Sequence, residues 1–191
     1  MKKRILYIAV IVIVLSLMTG GTLAYYNATD TVRNVITSGK VDVSLIEQQL
    51  VDGVLQPYPS DPIKIMPGRT VSKIVSVEST EQPAWIRASY KLTVYDANGV
   101  KMDISDEELA TVIIIEPDAS AWTYHEGWWY YNEAVDGGDT TTPLFESVEF
   151  SATKMGNQYQ RCTMTIDVIA QGVQQANNGE SALDAMGWPE S

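Results

Sequence analysis

The chain has 191 residues, 45% of them hydrophobic, and its 24 acidic and 13 basic side chains give a net charge of −11. An acidic surface of that size repels nucleic acid and anionic lipid, so no nucleic-acid partner is expected. Cys162 is the one cysteine, which excludes an intrachain disulfide and leaves stability to the packed core.

The first segment is built like an export signal. Lys2, Lys3 and Arg4 precede residues 5–18, ILYIAVIVIVLSLM, which carry no charge. That run is short of the ~20 apolar residues a membrane span needs, and it suits the apolar region of a secretory leader. Thr22 and Ala24 put small residues three and one before a cut at Tyr25. Thr19-Gly20-Gly21-Thr22 breaks the signal helix where a signal peptidase needs extended backbone. Residues 1–24 are therefore expected to be a cleaved signal peptide, the membrane being met only through this leader. The alternative is an uncleaved N-terminal anchor running through Leu23. Cleavage would remove three cations and no acid, leaving 10 basic and 24 acidic residues, a net −14. An exported chain without disulfides suits a Gram-positive bacterium.

Residues 25–40 are mostly polar and read as an extended N-terminal segment; residues 41–191 read as the folded domain. Val41, Val43 and Leu45 alternate with polar neighbours. So do residues 71–77, with a slip at Ile74-Val75 that suggests a bulge. Over residues 84–95, Ile86, Ala88, Tyr90, Leu92 and Val94 share one face, against Arg87, Ser89, Lys91 and Thr93. Over residues 159–171, Cys162, Met164, Ile166, Val168 and Ala170 do the same. A period of two over such lengths marks strands buried on one side. Turn signals fall between the runs: 57–62, Pro67-Gly68, Asn98-Gly99, Gly137-Gly138, Gly156-Asn157 and 177–179, with Asn98-Gly99 read as a two-residue hairpin loop. Two short helices are expected. Ser105 caps the first over 105–111 with Glu108 three residues on, and the second covers 181–186. The predicted fold is an all-β, antiparallel, jelly-roll-like β-sandwich.

Residues that could carry chemistry are few. His125-Glu126-Gly127-Trp128-Trp129 opens like a zinc-protease motif, but a Trp stands where the second histidine belongs, and the context is strand and turn. Cys162 sits on the apolar face of its strand, where a thiol behaves as a small hydrophobe with a raised pKa. Glu133, Asp136 and Asp139 could offer oxygen ligands to Ca²⁺, without the ordered spacing of an EF-hand; a solvated hairpin tip is the simpler reading. Asp106, Glu107 and Glu108 suit the acidic first turn of a helix. Consecutive Trp128, Trp129, Tyr130 and Tyr131 alternate if they form a strand. One pair then fills core, and the other lies under a loop or forms an exposed aromatic surface for a protein or glycan. No catalytic set or cofactor site assembles, which points to assembly or binding.

Gly20-Gly21-Thr22-Leu23-Ala24-Tyr25-Tyr26, followed by residues 34–45, NVITSGKVDVSL, resembles the start of the TasA/camelysin family. Ile65-Met66-Pro67-Gly68, Ala84-Trp85-Ile86-Arg87-Ala88, residues 127–145 (GWWYYNEAVDGGDTTTPLF), 170–174 and 185–188 are similar to later family segments. In place of the family's P-G, this chain has Asp136-Gly137-Gly138. The resemblance implies export with a SipW-type leader, a jelly-roll domain, and a fibre subunit of an extracellular biofilm matrix. It also implies that the freed N-terminal segment adds as a strand to a neighbouring subunit. Tyr26, Ala28, Val32 and Ile36 would share the donor's apolar face, interrupted by Asp30 and Asn34. Expected partners are further copies or related exported subunits, and the signal peptidase. Other relatives are described as metallopeptidases, an activity that one histidine does not readily support.

Overall fold

Apolar-polar alternation over residues 84–95 and 163–174 produces the longest ladder of the fold. The computed structural model describes residues 41–60, 66–159 and 161–189. The expected cleavage residues Thr22, Ala24 and Tyr25 and donor residues Tyr26, Ala28, Val32 and Ile36 lie outside these. In chain order the elements are β1 Val43–Val51, β2 Val54–Pro57, β3 Thr70–Ser79, β4 Ala84–Tyr95, α1 Asp106–Val112, β5 Ile113–Ile115, β6 Trp122–His125, β7 Trp128–Tyr131, β8 Phe145–Phe150, a 3-10 turn Asn157–Tyr159 and β9 Thr163–Gln174. They form a five-stranded sheet of order β2-β1-β3-β8-β5 and a four-stranded sheet of order β6-β7-β4-β9. Every strand pairing is antiparallel. The two sheets pack as a sandwich.

The face predicted for β4 is the buried one: Ile86, Ala88 and Val94 lie in the main core, with Tyr90 and Leu92 packed against it. Val168 and Ala170 of β9 join them, flanked by Met164, Ile166 and Cys162. From the opposite sheet come Val75 and Val77 of β3 and Phe145, Val148 and Phe150 of β8. Tyr90 meets Phe145 edge-on at 5.6 Å, a favoured aromatic geometry.

The slip read in β3 is a bulge, since its register against β8 shifts between Ser72 and Val75. Lys73 lies within it, and its Nζ sits 2.7 Å from Glu47 Oε1 of β1, with side chains 4% and 13% exposed. The same ammonium lies 3.8 Å from the centroid of the Tyr58 ring. A lysine can be buried here because both a carboxylate and an aromatic face meet it.

Three local expectations are corrected. Asn98-Gly99 does not make a two-residue loop. The loop is Asp96–Val100, closed by Gly99 N–H on Asp96 C=O at 3.0 Å and Asp96 N–H on Val100 C=O at 2.8 Å. Only Gly99 has positive φ, 78°, so Asn98 is spared the left-handed backbone. Residues 181–186 form one turn rather than a helix, with Ala185 N–H on Ser181 C=O at 3.1 Å. The third correction is a hairpin the turn signals left out: β1 and β2 are joined by Asp52-Gly53, both at positive φ, 52° and 79°. Helix α1 forms as expected, Ser105 accepting from Glu108 N–H at 3.2 Å. The Glu108 carboxylate does not close a capping box, and instead accepts from the Tyr159 hydroxyl at 3.2 Å.

Candidate functional site

Two regions of the four-stranded sheet differ from ordinary sandwich surface. The first is its β9 edge. β4 pairs with β9 from Ala84↔Gln174 to Tyr95↔Thr163, and among the described residues no strand pairs with the other side of β9. β1 of the facing sheet comes down on one end of it: a Cβ built on Gly172 would collide with the Val43 side chain. Glycine is needed there because the Val43 side chain fills the space a Cβ would take. Beyond this contact, among the described residues the second backbone edge of β9 has no partner strand, beside the alternating Met164, Ile166, Val168 and Ala170. In an antiparallel ladder roughly half the N–H and C=O groups of an edge strand point outward and can pair with an added strand.

The second region is the outer face of the same sheet, at the end where β4 begins. β6 and β7 make a hairpin through Glu126-Gly127, at φ 48° and 86°. Left-handed backbone at both positions is what a tight hairpin with the right twist requires. The four aromatics of β7 alternate as read. Tyr131 belongs to the main core, with Trp129 packed against it; Tyr130 belongs to a second cluster with Trp85, Val173, Ala182 and Ala185, against which Trp128 and Trp188 pack. Of the two readings of the outward pair, the structure has the covered one and not the exposed aromatic surface. Tyr130 and Tyr131 are buried and the two tryptophans half-buried, because residues after β9 fold back over the outward pair.

Arg87 is at the centre of this second cluster and only 9% exposed. Its guanidinium lies 4.2 Å from the Trp128 ring centroid and 4.7 Å from that of Trp188. Nε donates to Gln171 Oε1 at 2.8 Å, Nη1 to the Tyr130 hydroxyl at 3.1 Å and Nη2 to the Pro189 carbonyl at 3.2 Å. A planar group that donates to three acceptors and lies over aromatic rings fits guanidinium and not ammonium.

The remaining sequence candidates do not converge. His125 lies at the end of β6, exposed, 3.9 Å from Glu126, on a hairpin rather than the helix a two-histidine zinc motif needs. Glu133, Asp136 and Asp139 are all exposed. Among the described residues no three His, Cys, Asp or Glu side chains group as metal ligands. Cys162 donates weakly to Gln158 C=O at 3.4 Å and lies 3.6 Å from Met102 Sδ. Desolvation, then the nearby Asp96 charge, pushes its thiol pKa up, the opposite of an activated nucleophile. An open recess of about 290 Å³ is lined by Glu116, Asp118, Pro143, Phe145, Glu146 and Ser147. Asp118 is already occupied by Ser120, whose hydroxyl and backbone N–H hold its carboxyl below the usual range. Among the described residues, no helix is long and apolar enough to cross a membrane.

A family model described as camelysin metallo-endopeptidase matches residues 1–113. No curated protein and no solved structure matches the chain. The matched span contains neither His125 nor Cys162, the chain's one histidine and one cysteine. Its possible metal ligands are therefore oxygen donors, a poor fit to the nitrogen-rich site of a zinc peptidase.

Proposed function

The chain belongs to the camelysin family, and from that premise we propose that it is an exported structural subunit or accessory protein of an extracellular matrix fibre. It assembles by strand donation. Cutting at Tyr25 frees residues 25–38, and this segment pairs with the β9 edge of a second copy or a related subunit. The observation that carries this reading is a twelve-residue edge strand paired on one side only among the described residues. Backbone hydrogen bonds supply the affinity and alternate side chains the register. Tyr26, Ala28, Val32 and Ile36 would continue the apolar face of Met164, Ile166, Val168 and Ala170. The family, the leader pattern and the jelly-roll-like sandwich support placement outside the cell or at its surface.

The test is direct. The chain cut at Tyr25 should form filaments visible by electron microscopy, and deletion of residues 25–38 should abolish them. Persistent monomer at high concentration would overturn assembly and favour a monomeric surface binding module. The family's printed description favours a second reading, a metallo-endopeptidase. Chelator-sensitive cleavage of casein by protein free of contaminating protease would establish it. The oxygen-only donors of the matched span do not fit that chemistry.

A further inference from the structure

β1 meets β9 on one side of the sandwich, so the edge strands β5 and β6 lie on the other. There the core-facing side of a sheet is left uncovered. Trp122 and Tyr124 share that side of β6, yet Trp122 is 1% exposed and Tyr124 59%. The cause lies in the opposite sheet: β5 pairs with β8 only from Val148 to Phe150, and no described strand continues it towards Phe145. The Tyr124 ring rests against Trp129, centroids 5.1 Å apart, and Trp129 lies opposite Ala88 of β4. Two residues further along β4, Tyr90 completes this aromatic shelf and meets Phe145. Burial, then the neighbouring Tyr124, pushes the Tyr90 pKa up. Phe145 also lines the recess of about 290 Å³, so shelf and recess adjoin. Glu116, Asp118 and Glu146 stand around the recess, all exposed. Among the described residues no cation pairs with them, the ion pairs being Lys73–Glu47 and His125–Glu126.

Beside the shelf the backbone of β6 is open. The hairpin closes on His125↔Trp128, so His125 and Thr123 bond towards β7, and Tyr124 turns its N–H and C=O the other way, where no described strand lies. Trp122, in the same phase as Tyr124, donates its N–H away from β7, to Asp118 C=O at 2.9 Å. We propose that this side of the sandwich binds an extended, arginine-bearing segment of a partner protein, which adds beside Tyr124 as a short strand. Alternate side chains of an added strand stand about 7 Å apart on one face. One arginine lies against the Tyr124 and Trp129 rings, and the next enters the recess among the carboxylates. Charge selects a basic segment over a neutral one, and the net −11 of the chain draws it in from beyond contact distance. The open edge selects a peptide over a glycan, because a peptide backbone can answer both groups of Tyr124 in register. Residues 25–38 carry one acid and one base, so this site and the β9 edge take different partners.

The probe is a fluorescent hexapeptide of alternating Arg and Thr, titrated into the purified full chain at about 150 mM salt and followed by anisotropy. It should bind saturably, and the same peptide with Gln for Arg should not. Y124A and the double variant E116Q/E146Q should each weaken binding at least tenfold. Y124F, which keeps the ring, should stay within twofold of the unchanged chain. E81Q/E133Q, which removes the same charge from exposed loops elsewhere, should also stay within twofold. Of two peptides N-methylated at the arginines or at the threonines, one should lose at least tenfold, since only alternate N–H groups face β6. No binding of the arginine peptide, or equal weakening by the two acid-to-amide pairs, would overturn the site. Unchanged affinity of both methylated peptides would overturn strand addition. A labelled glucosamine hexamer that binds more tightly, with the same dependence on Tyr124, would overturn the choice of a peptide. Every protein compared keeps residues 25–38, so failure of the fibre reading leaves these outcomes distinct.

Discussion

Lys73 shows what a slip in alternation leaves open: the break at Ile74-Val75 suggests a bulge and does not tell that this side chain is buried. In sequence it interrupts the apolar phase of β3, and the structure places it inside the bulge, nearly fully buried against Glu47. Removing one member of such a pair strands the other in a low-dielectric site, at a cost of about 3–5 kcal/mol. K73M should therefore lower the unfolding free energy by about that amount in urea titration. The double variant K73M/E47L should recover most of the loss, because no orphan charge remains. A double variant as unstable as K73M would mean that the ion pair itself, with the Tyr58 ring beside it, is the stabilising unit. Arg87 is the complementary case. Its outward phase in β4 was legible, but its burial was not, since the cover comes from β7 and from the segment after β9, both distant in sequence.

Elements whose rules are local were legible. Ser105 and Glu108, three apart before an apolar run, place the start of α1, and the side-chain cap forms. S105A should cost about 1 kcal/mol, read as a lower denaturation midpoint with unchanged slope; no change would mean that the Tyr159–Glu108 bond alone holds the helix. β4 and β9 were legible because strict alternation over a long run has one solution. The 181–186 segment failed for a physical reason: Ala182 and Ala185 are spaced like a helix face, but their burial is fixed by the sheet below and by Asn178 clamping Met186. A segment that short gains little from helix formation alone. Asp52-Gly53 carries a tight-hairpin signal that proximity to the 57–62 turn cluster obscured. The aromatic run in β7 gave its alternation but not its cover, because nothing in WWYY indicates that the tail returns. The β9 edge was also invisible, because alternation marks faces and says nothing of which strand lies beside which.

At the scale of the whole molecule, charge and edge work against each other. Copies of the chain cut at Tyr25, with 10 basic and 24 acidic residues and so a net −14, repel, while β9 carries a single charged side chain, Asp167, and residues 25–38 carry one acid and one base, Asp30 and Arg33. Strand addition would thus draw on backbone pairing and apolar contact, with no charge attraction to offset the repulsion. Paired strands sit about 4.8 Å apart, inside a Debye length of roughly 30 Å at 10 mM salt and still inside one of roughly 8 Å at 150 mM. The repulsion between the rest of the two surfaces, which spans larger distances, is what salt removes. Raising salt from 10 to 150 mM should therefore accelerate association of the chain cut at Tyr25 on the order of tenfold, followed by light scattering at fixed protein concentration. Slower association on adding salt would show that oppositely charged patches bring the copies together, and the β9 edge would lose its place as the contact.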